Sequence, residues 1–182
     1  MEIHEILQQL DLHANEVRDC FAALTPEKRG WKPSQDQWSI DQHLEHLIVL
    51  NESYYPEFAR IQRNERNPVL LARLPFVYNR FGNMLLSSVK PENKRKMRTM
   101  SVWEPSTSLA GKDMVDEFVQ HHERLKSHIV GLEIFIGRNV IVSSPANKYI
   151  VYPLETALEL IVTHEKRHIQ HARHLLEIDL AT

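Results

Sequence analysis

The chain has 182 residues, of which 42% are hydrophobic and 25% are charged, and its formal charge is -2. This length is typical of one domain with a real core, and the near-neutral charge argues against nucleic acid or an anionic membrane as a partner. No apolar run approaches the ~20 residues that a membrane span needs, and the charged, amphipathic N-terminus does not resemble a signal peptide. We therefore expect one domain over residues 1–182, without a membrane anchor.

Three residue counts narrow the class further. The single cysteine, Cys20, excludes an intrachain disulfide and fits a reducing cytoplasm, and its apolar neighbours at helical spacing predict a buried core thiol. The presence of only five glycines disfavours turn-rich β folds and glycine-rich phosphate loops. The eleven histidines, many of them clustered, are therefore the main candidates for chemistry.

The first part of the chain contains two predicted helices. Apolar residues recur at three- and four-residue spacing over residues 3–24, which indicates an amphipathic helix that ends before Pro26. A second helix is predicted to begin after Ser39, because Gln42 three residues later completes a capping box, and to run to about residue 63.

A long connection follows the second helix. Residues 69–89 are apolar and predicted to be partly helical, with Pro75 as an interruption, and residues 90–109 contain two prolines that predict an irregular segment. A connection of this length suits a helical bundle with a crossover, in which consecutive helices can run parallel.

The last part of the chain contains two more predicted helices. The third spans about residues 108–134, and the fourth begins at Pro153, a residue favoured in first helical turns, and ends near residue 177. Between them, residues 139–144 could form a short strand within a loop at 137–152. Four amphipathic helices bury their apolar stripes most simply as a four-helix bundle, so the expected fold class is all-α.

Two histidines of the fourth predicted helix point to a metal site. His164 and His168 are four residues apart, so they share a helix face and can point at one ion. They interrupt the apolar stripe that should face the bundle interior, whose members are Ala157, Leu160, Ile161 and Leu175. A pair of neutral, hydrogen-bonded core histidines is the alternative, and the spacing alone leaves both interpretations open.

His46, on the apolar stripe of the second predicted helix, is the third candidate ligand. Three neutral imidazoles with an open coordination position describe a catalytic metal site better than a structural one. Other histidines compete: His43 lies one turn before His46, and His122 and His171 are candidates for a fourth ligand or a catalytic base. Histidines that we expect at the surface or at the rim of the site are His121, His128 and His174.

Residues 164–168 also match the H-E-x-x-H motif, in which Glu165 would be the general base of a metalloprotease. His174 stands at the metzincin spacing, but His171 replaces the glycine that lets such chains turn back, so His174 would point about 80° away from His164. No upstream stretch predicts a sheet that would hold an extended peptide. We therefore disfavour a metallopeptidase and expect Glu165 to face solvent or to lie behind the ligands, with a catalytic role left open.

Residues 38–47 read W-S-I-D-Q-H-L-E-H-L, and residues 164–168 read H-E-K-R-H. These segments resemble the W-[ST]-x-x-x-x-L-x-H-L and H-x-x-x-H signatures of the DinB-like (YfiT-like) superfamily, and the resemblance covers the whole chain in element order. It implies an up-down-down-up four-helix bundle, a homodimer, and a divalent ion of the nickel or zinc type held by His46, His164 and His168. It also implies a small-molecule substrate, since characterised relatives include transferases and isomerases that use a low-molecular-weight thiol.

The sequence departs from the family pattern in one place. Members often carry glutamine three residues after the second histidine of the H-x-x-x-H motif, whereas here His171 takes that place and Gln170 comes one residue early. His171 thereby becomes a stronger candidate for a role at the site. The aromatic residues Trp38, Tyr54 and Trp103 could either line a pocket or pack in the core.

These observations favour a metal-dependent enzyme. A thiol S-transferase is the leading hypothesis, because a metal ion can lower the pKa of a bound thiol and present the thiolate to an electrophile. A metal-dependent hydrolase and a non-enzymatic binding or stress-response bundle are the alternatives. The metal itself does not follow from imidazole ligands, because they suit zinc, nickel, copper and iron alike.

Overall fold

The computed structural model describes residues 2–93, 99–106, 109 and 111–179, and most of these residues are helical. The α-helices are α1 (Ile3–Phe21), α2 (Pro26–Gly30), α3 (Ile40–Glu52), α4 (Tyr55–Gln62), α5 (Pro75–Val89), α6 (Met114–Val130) and α7 (Leu154–Asp179). The strands are β1 (Ile141–Ser144) and β2 (Asn147–Pro153). Short 3-10 turns lie at Leu70–Arg73, Ser101–Trp103 and Glu133–Phe135.

Helices α1, α3, α6 and α7 form a four-helix bundle. α1 and α3 each pack against both α6 and α7, so α1 and α3 stand at opposite corners. An apolar cluster at one end joins the C-terminal halves of α1 and α7, represented by Phe21 and Leu175, to the first turns of α3 and α6, represented by Ile40 and Val115. α1 and α7 therefore run one way and α3 and α6 the other, which confirms the expected all-α, up-down-down-up bundle.

A second apolar cluster fills the other end of the bundle. It joins the N-terminal halves of α1 and α7 to the end of α6, to α4 and to the β-strands, and its buried members include Leu10, Phe58, Leu125, Tyr152 and Leu158. Burial of such side chains is the dominant favourable contribution to folding. Between the two clusters the interior is polar, and the buried histidines of α1 and α6 lie there.

The second predicted helix is broken in the structure. Its start agrees with the prediction, because the Ser39 side chain accepts the Gln42 N–H and the Gln42 side chain accepts the Ser39 N–H. However, α3 ends at Glu52 and α4 begins at Tyr55, because Pro56 has no N–H to donate to the Glu52 carbonyl. The prediction of one continuous helix was wrong.

The crossover carries a longer helix than the sequence indicated. Pro75, predicted to interrupt this region, is instead the first residue of α5, where its fixed φ and missing N–H fit the first turn. α5 packs on α7 and on β2. The contact is close at Gly82, where a Cβ atom would lie 3.1 Å from the Thr156 methyl carbon and 3.4 Å from the Tyr152 Cβ atom.

The third predicted helix is shorter in the structure. Asp113 caps α6 by accepting the N–H groups of Val115 and Asp116, so the helix begins at Met114. The expected start at residue 108 lies outside the described residues. At its C-terminal end α6 stops at Val130, the residue before Gly131, whereas the predicted end was at about residue 134.

A β-hairpin lies between α6 and α7. β1 falls within the predicted strand, and it pairs antiparallel with β2, a second strand that was not predicted. Pro153 ends β2, and α7 begins one residue later than expected. Among the described residues, no helix combines the length and the apolar composition that crossing a membrane requires.

Cys20 is half-buried and packs against the first apolar cluster, which includes the first turns of α3 and α6. It is therefore less buried than predicted. Burial raises the pKa of its thiol, which keeps the thiolate scarce at neutral pH.

Gly82→Val should lower the free energy of unfolding by about 1–3 kcal/mol, because the added side chain would overlap Thr156 and Tyr152. Urea denaturation measures this. Asn83→Val, at the next and exposed position of α5, is the matched control and should change stability by less than about 0.5 kcal/mol. Equal stability of the two variants would show that α5 can move away from α7 without cost.

Candidate metal centre

Three histidines from two helices meet on the α3–α7 side of the bundle. α3 supplies His46, and α7 supplies His164 and His168, which share a face because they are four residues apart. One ring nitrogen from each lies within 4.8 Å of the other two. The ring centroids are 4.4 Å apart within α7, and those of His168 and His164 lie 4.6 Å and 5.2 Å from that of His46. The structure therefore brings together the three candidate ligands.

Hydrogen bonds orient two of these rings. The Nδ1–H of His46 donates to the Trp103 carbonyl oxygen over 2.7 Å, which leaves the lone pair on Nε2 free. The Nδ1 of His168 and the Nδ1 of His43 share a hydrogen bond of 3.0 Å. His43 is therefore an orienting partner of His168, and it is not part of the ligand group.

The third ring has an unused nitrogen. The Nδ1 of His164 is buried and has no hydrogen-bond partner among the described residues. A buried polar atom without a partner costs free energy, and a bound cation would satisfy it. The group His46, His164 and His168 therefore fits a metal ion.

Burial keeps the three rings neutral. It lowers the pKa of His164 to about 3, with the nearby His46 as the second cause, and it lowers the pKa of His168 well below its usual value. Burial also lowers the pKa of His46, although the bond to Trp103 acts in the opposite direction. The lone pairs are thus free at pH 7, and a metal ion would not have to compete with protons.

The donor set suits several divalent metals. Metal–nitrogen bonds of about 2.0–2.1 Å place tetrahedral ligand nitrogens roughly 3.3 Å apart, so small rotations of the three rings would close the group around an ion. No carboxylate belongs to the group in the described part of the chain. Three neutral ligands would leave the charge of the ion uncompensated and at least one coordination position open.

Trp38 packs against the histidine group. Its ring centroid lies 4.9 Å from that of His46, 5.4 Å from that of His43 and 5.9 Å from that of His168. The indole therefore covers one side of the site with apolar surface.

The other two aromatic candidates, Trp103 and Tyr54, lie in different environments. Trp103 lies beside His46, as its carbonyl contact requires. Tyr54 is buried in the core, where its hydroxyl shares a hydrogen bond of 2.8 Å with the Tyr152 hydroxyl. Of the three aromatic candidates, Trp38 therefore packs at the site and Tyr54 lies in the core, whereas Trp103 brings its backbone carbonyl to the site and packs its side chain against the core.

His171 lies at the rim of the site. It is exposed, and its ring centroid is 5.8 Å from that of His168 and 5.9 Å from that of His43. Partial burial of the ring and the nearby Arg167 lower its pKa, so the ring is neutral at pH 7. It is outside the ligand group but close enough to contact a molecule bound there.

Glu165 belongs to a separate, buried network. The residue is fully buried, and its carboxylate accepts hydrogen bonds from Asn51 at 2.7 Å, from His13 at 2.7 Å and from His122 at 3.2 Å. It does not face solvent, because one residue after His164 the helix has turned about 100° toward the interior shared with α1 and α6. His164 and Glu165, which are adjacent in the H-E-x-x-H match, thus face different parts of the bundle.

His122 and Glu165 form a buried ion pair. Burial alone would lower the pKa of His122, but the Glu165 carboxylate outweighs it and holds that pKa above its usual value. Burial alone would raise the pKa of Glu165, but His122 and then His13 hold it well below the usual range. The other ring nitrogen of His122 donates to the Phe118 carbonyl, so no nitrogen of His122 is free for a metal.

This network also bears on the metallopeptidase alternative. A general base must reach the open coordination position, but the Glu165 carboxylate lies in the interior and is held by three partners. The tertiary structure therefore adds a reason against peptidase chemistry at this motif.

His121 is buried, contrary to expectation. Its Nε2 accepts a hydrogen bond of 3.3 Å from the Asn51 amide, its ring stacks on Tyr55, and burial lowers its pKa to about 3. His121 and the adjacent His122 are both buried because α6 packs against α1 as well as against α3. His128 is half-buried and stacks on Tyr55, whereas His174 is exposed, as expected.

Glu165→Ala should lower the free energy of unfolding by about 3–5 kcal/mol, because it leaves a buried cationic His122 and one N–H of the Asn51 amide without their acceptor. Urea denaturation tests this. Glu177→Ala, which removes an exposed carboxylate of the same helix, is the control and should cost less than about 1 kcal/mol. Similar losses in the two variants would contradict an ion pair that contributes to stability.

The metal-free protein should lose stability as the pH falls from about 6.5 toward 4. The pKa of His121 is about 3 in the folded protein, whereas histidine in the unfolded chain has a pKa of about 6.5. Between about pH 6.5 and pH 4 the unfolded chain therefore binds more protons than the folded one, and acid favours unfolding. Each such histidine contributes up to about 1.4 kcal/mol per pH unit. Urea denaturation across this pH range should show a shallower slope for His121→Gln, and an unchanged slope would contradict the assignment.

Comparison with known proteins agrees with the fold and with the histidine group. A family model described as the DinB superfamily matches residues 9–172, a span that contains both signature segments and all three candidate ligands. Comparisons with curated proteins and with solved structures found no match. The match covers most of the chain, and the chain belongs to the DinB superfamily.

Proposed function

We propose that the protein is a divalent-metal-dependent enzyme that transfers a low-molecular-weight thiol to a small electrophilic substrate. The observation that carries the proposal is the group of three neutral histidines, with ring nitrogens within 4.8 Å of one another and no carboxylate among them. Family membership supports a metal at this group. The thiol is supported by the resemblance to characterised relatives.

Each residue at the site has a role in this proposal. His46, His164 and His168 would hold the ion, with nickel or zinc as the first candidates. When bound, such an ion supplies Lewis acidity that lowers the pKa of a coordinating thiol. Trp38 would exclude water from one side, and His171, neutral at pH 7 and at the rim, would accept the proton that the thiol loses.

The proposal has two further parts. A free thiol cosubstrate requires a reducing compartment, so we place the protein in the cytoplasm, which is consistent with its single cysteine. We also include a homodimer, for which the family resemblance is the support.

Metal content and thiol transfer, measured on the same purified protein, test the proposal. The protein should carry or take up about one equivalent of nickel or zinc per chain and should conjugate a thiol from a panel to a halogenated or epoxide electrophile. His168→Ala should lower both metal content and thiol transfer by more than about tenfold. His174→Ala, which removes an exposed histidine of the same helix, is the matched control and should retain both.

Three results would redirect the proposal. Less than about a tenth of an equivalent of metal, unchanged by reloading, would contradict a metal enzyme. Turnover of an ester without any added thiol would favour the metal-dependent hydrolase. A His168→Ala protein with altered stability, in a chain for which no turnover is found, would favour the non-enzymatic bundle.

A further inference from the structure

A segment of the crossover runs along α3 beside the histidine group. We call residues 99–106 the strap, and it contains the 3-10 turn Ser101–Trp103. Hydrogen bonds join the strap to four residues of α3 and its C-cap, namely Gln42, Glu45, His46 and Ser53.

Glu45 anchors one end of the strap. The residue is 8% exposed, and its two carboxylate oxygens accept the Ser106 N–H at 2.6 Å and the Ser106 hydroxyl at 2.8 Å. The Gln42 amide donates to the Ser106 carbonyl at 3.0 Å. Hydrogen bonds to a charged group are the stronger kind, and moving Ser106 away would leave a buried carboxylate without these donors.

Trp103 is anchored through its side chain. The indole N–H donates to the Ser53 hydroxyl oxygen at 3.1 Å. Because Ser106 is only three residues further on, both ends of this short span are tied to α3. The Trp103 carbonyl oxygen is thereby held 2.7 Å from the Nδ1 of His46.

The carbonyl contact selects one form of the His46 ring. A neutral imidazole carries its proton on either Nδ1 or Nε2, and only the Nδ1–H form leaves the Nε2 lone pair for an ion. The Trp103 carbonyl accepts a proton from Nδ1 and therefore favours this form. Without the carbonyl, the ring would be free to place its proton on Nε2, the nitrogen that the Trp103 contact leaves for an ion.

We propose that the strap positions the metal centre: Glu45, Ser106 and Trp103 hold the carbonyl that orients His46, so that strap docking and metal binding stabilise one another. This inference rests on the proposed metal centre and assigns a role to residues that touch neither the ion nor a substrate. The coupling is reciprocal. Metal binding should favour the docked strap by a certain factor, and undocking the strap should weaken metal affinity by the same factor.

Cobalt binding to three variants tests the proposal. Glu45→Gln keeps the shape of the anchor but places an amide donor opposite the Ser106 donors, and Trp103→Phe removes the bond to Ser53. The control is Glu57→Gln, the same change at a carboxylate of α4 that accepts the Ser143 N–H and holds the hairpin. Competition titration gives the Co²⁺ affinity, the visible Co²⁺ spectrum gives the ligand geometry, and urea denaturation of the metal-free proteins gives their stability.

The two strap variants should bind Co²⁺ about tenfold or more weakly with a shifted spectrum, whereas Glu57→Gln should stay within about twofold of the parent with its spectrum unchanged. If Glu45→Gln does not fold, Ser106→Ala removes one donor to the same carboxylate and takes its place. Strap variants with the affinity and spectrum of the parent would overturn the strap proposal and leave the metal centre standing.

A second measurement needs no metal. Long-range proton–nitrogen NMR spectra of the metal-free protein should show His46 as the Nδ1–H tautomer in the parent and as a mixture of tautomers in Glu45→Gln. A parent protein that binds no Co²⁺ would overturn the proposed metal centre, and this spectrum would still decide whether the strap orients His46. An Nε2–H tautomer in the parent would overturn the strap proposal.

Discussion

The buried carboxylate of Glu165 joins all four helices of the bundle. It projects from α7 and accepts hydrogen bonds from His13 of α1, from Asn51 of α3 and from His122 of α6. A buried charge is costly unless it is paired and hydrogen-bonded, so this contact is satisfied in one arrangement of the four helices. It lies between two apolar clusters, whose contacts are non-directional, and its directed hydrogen bonds therefore help to hold α7 in register.

The register of α7 decides where the candidate ligands lie. His164 directly precedes Glu165, so when the carboxylate faces the interior, His164 and His168 face α3 and the ring of His46. The same helix α3 also holds the strap through Glu45, which brings the Trp103 carbonyl to His46. The polar interior thus positions two of the rings, and the crossover orients the third.

The features that could be predicted from the sequence are local. Apolar spacing indicated the four bundle helices, and the Ser39 capping box indicated the start of α3. The i, i+4 spacing of His164 and His168 placed them on one face. The predictions from the sequence failed in two ways. Pro75 was assigned the wrong effect and the break at Pro56 was missed, because a proline can end one helix and begin another depending on which carbonyl lacks a donor.

The second kind of failure concerned pairing across the chain. The burial of His121 and the interior position of Glu165 depend on residues far away in sequence, whereas β2 was missed although its partner strand β1 lies close by in the chain. The sequence by itself determined the helices, their apolar faces and the two histidines of α7, because helix geometry relates neighbours within one or two turns. Only the tertiary structure decided that His46 completes the group, that His43 and Trp103 orient it and that Glu165 lies behind it. Those roles follow from which side chains meet across helices, and no periodicity within a single helix encodes such meetings.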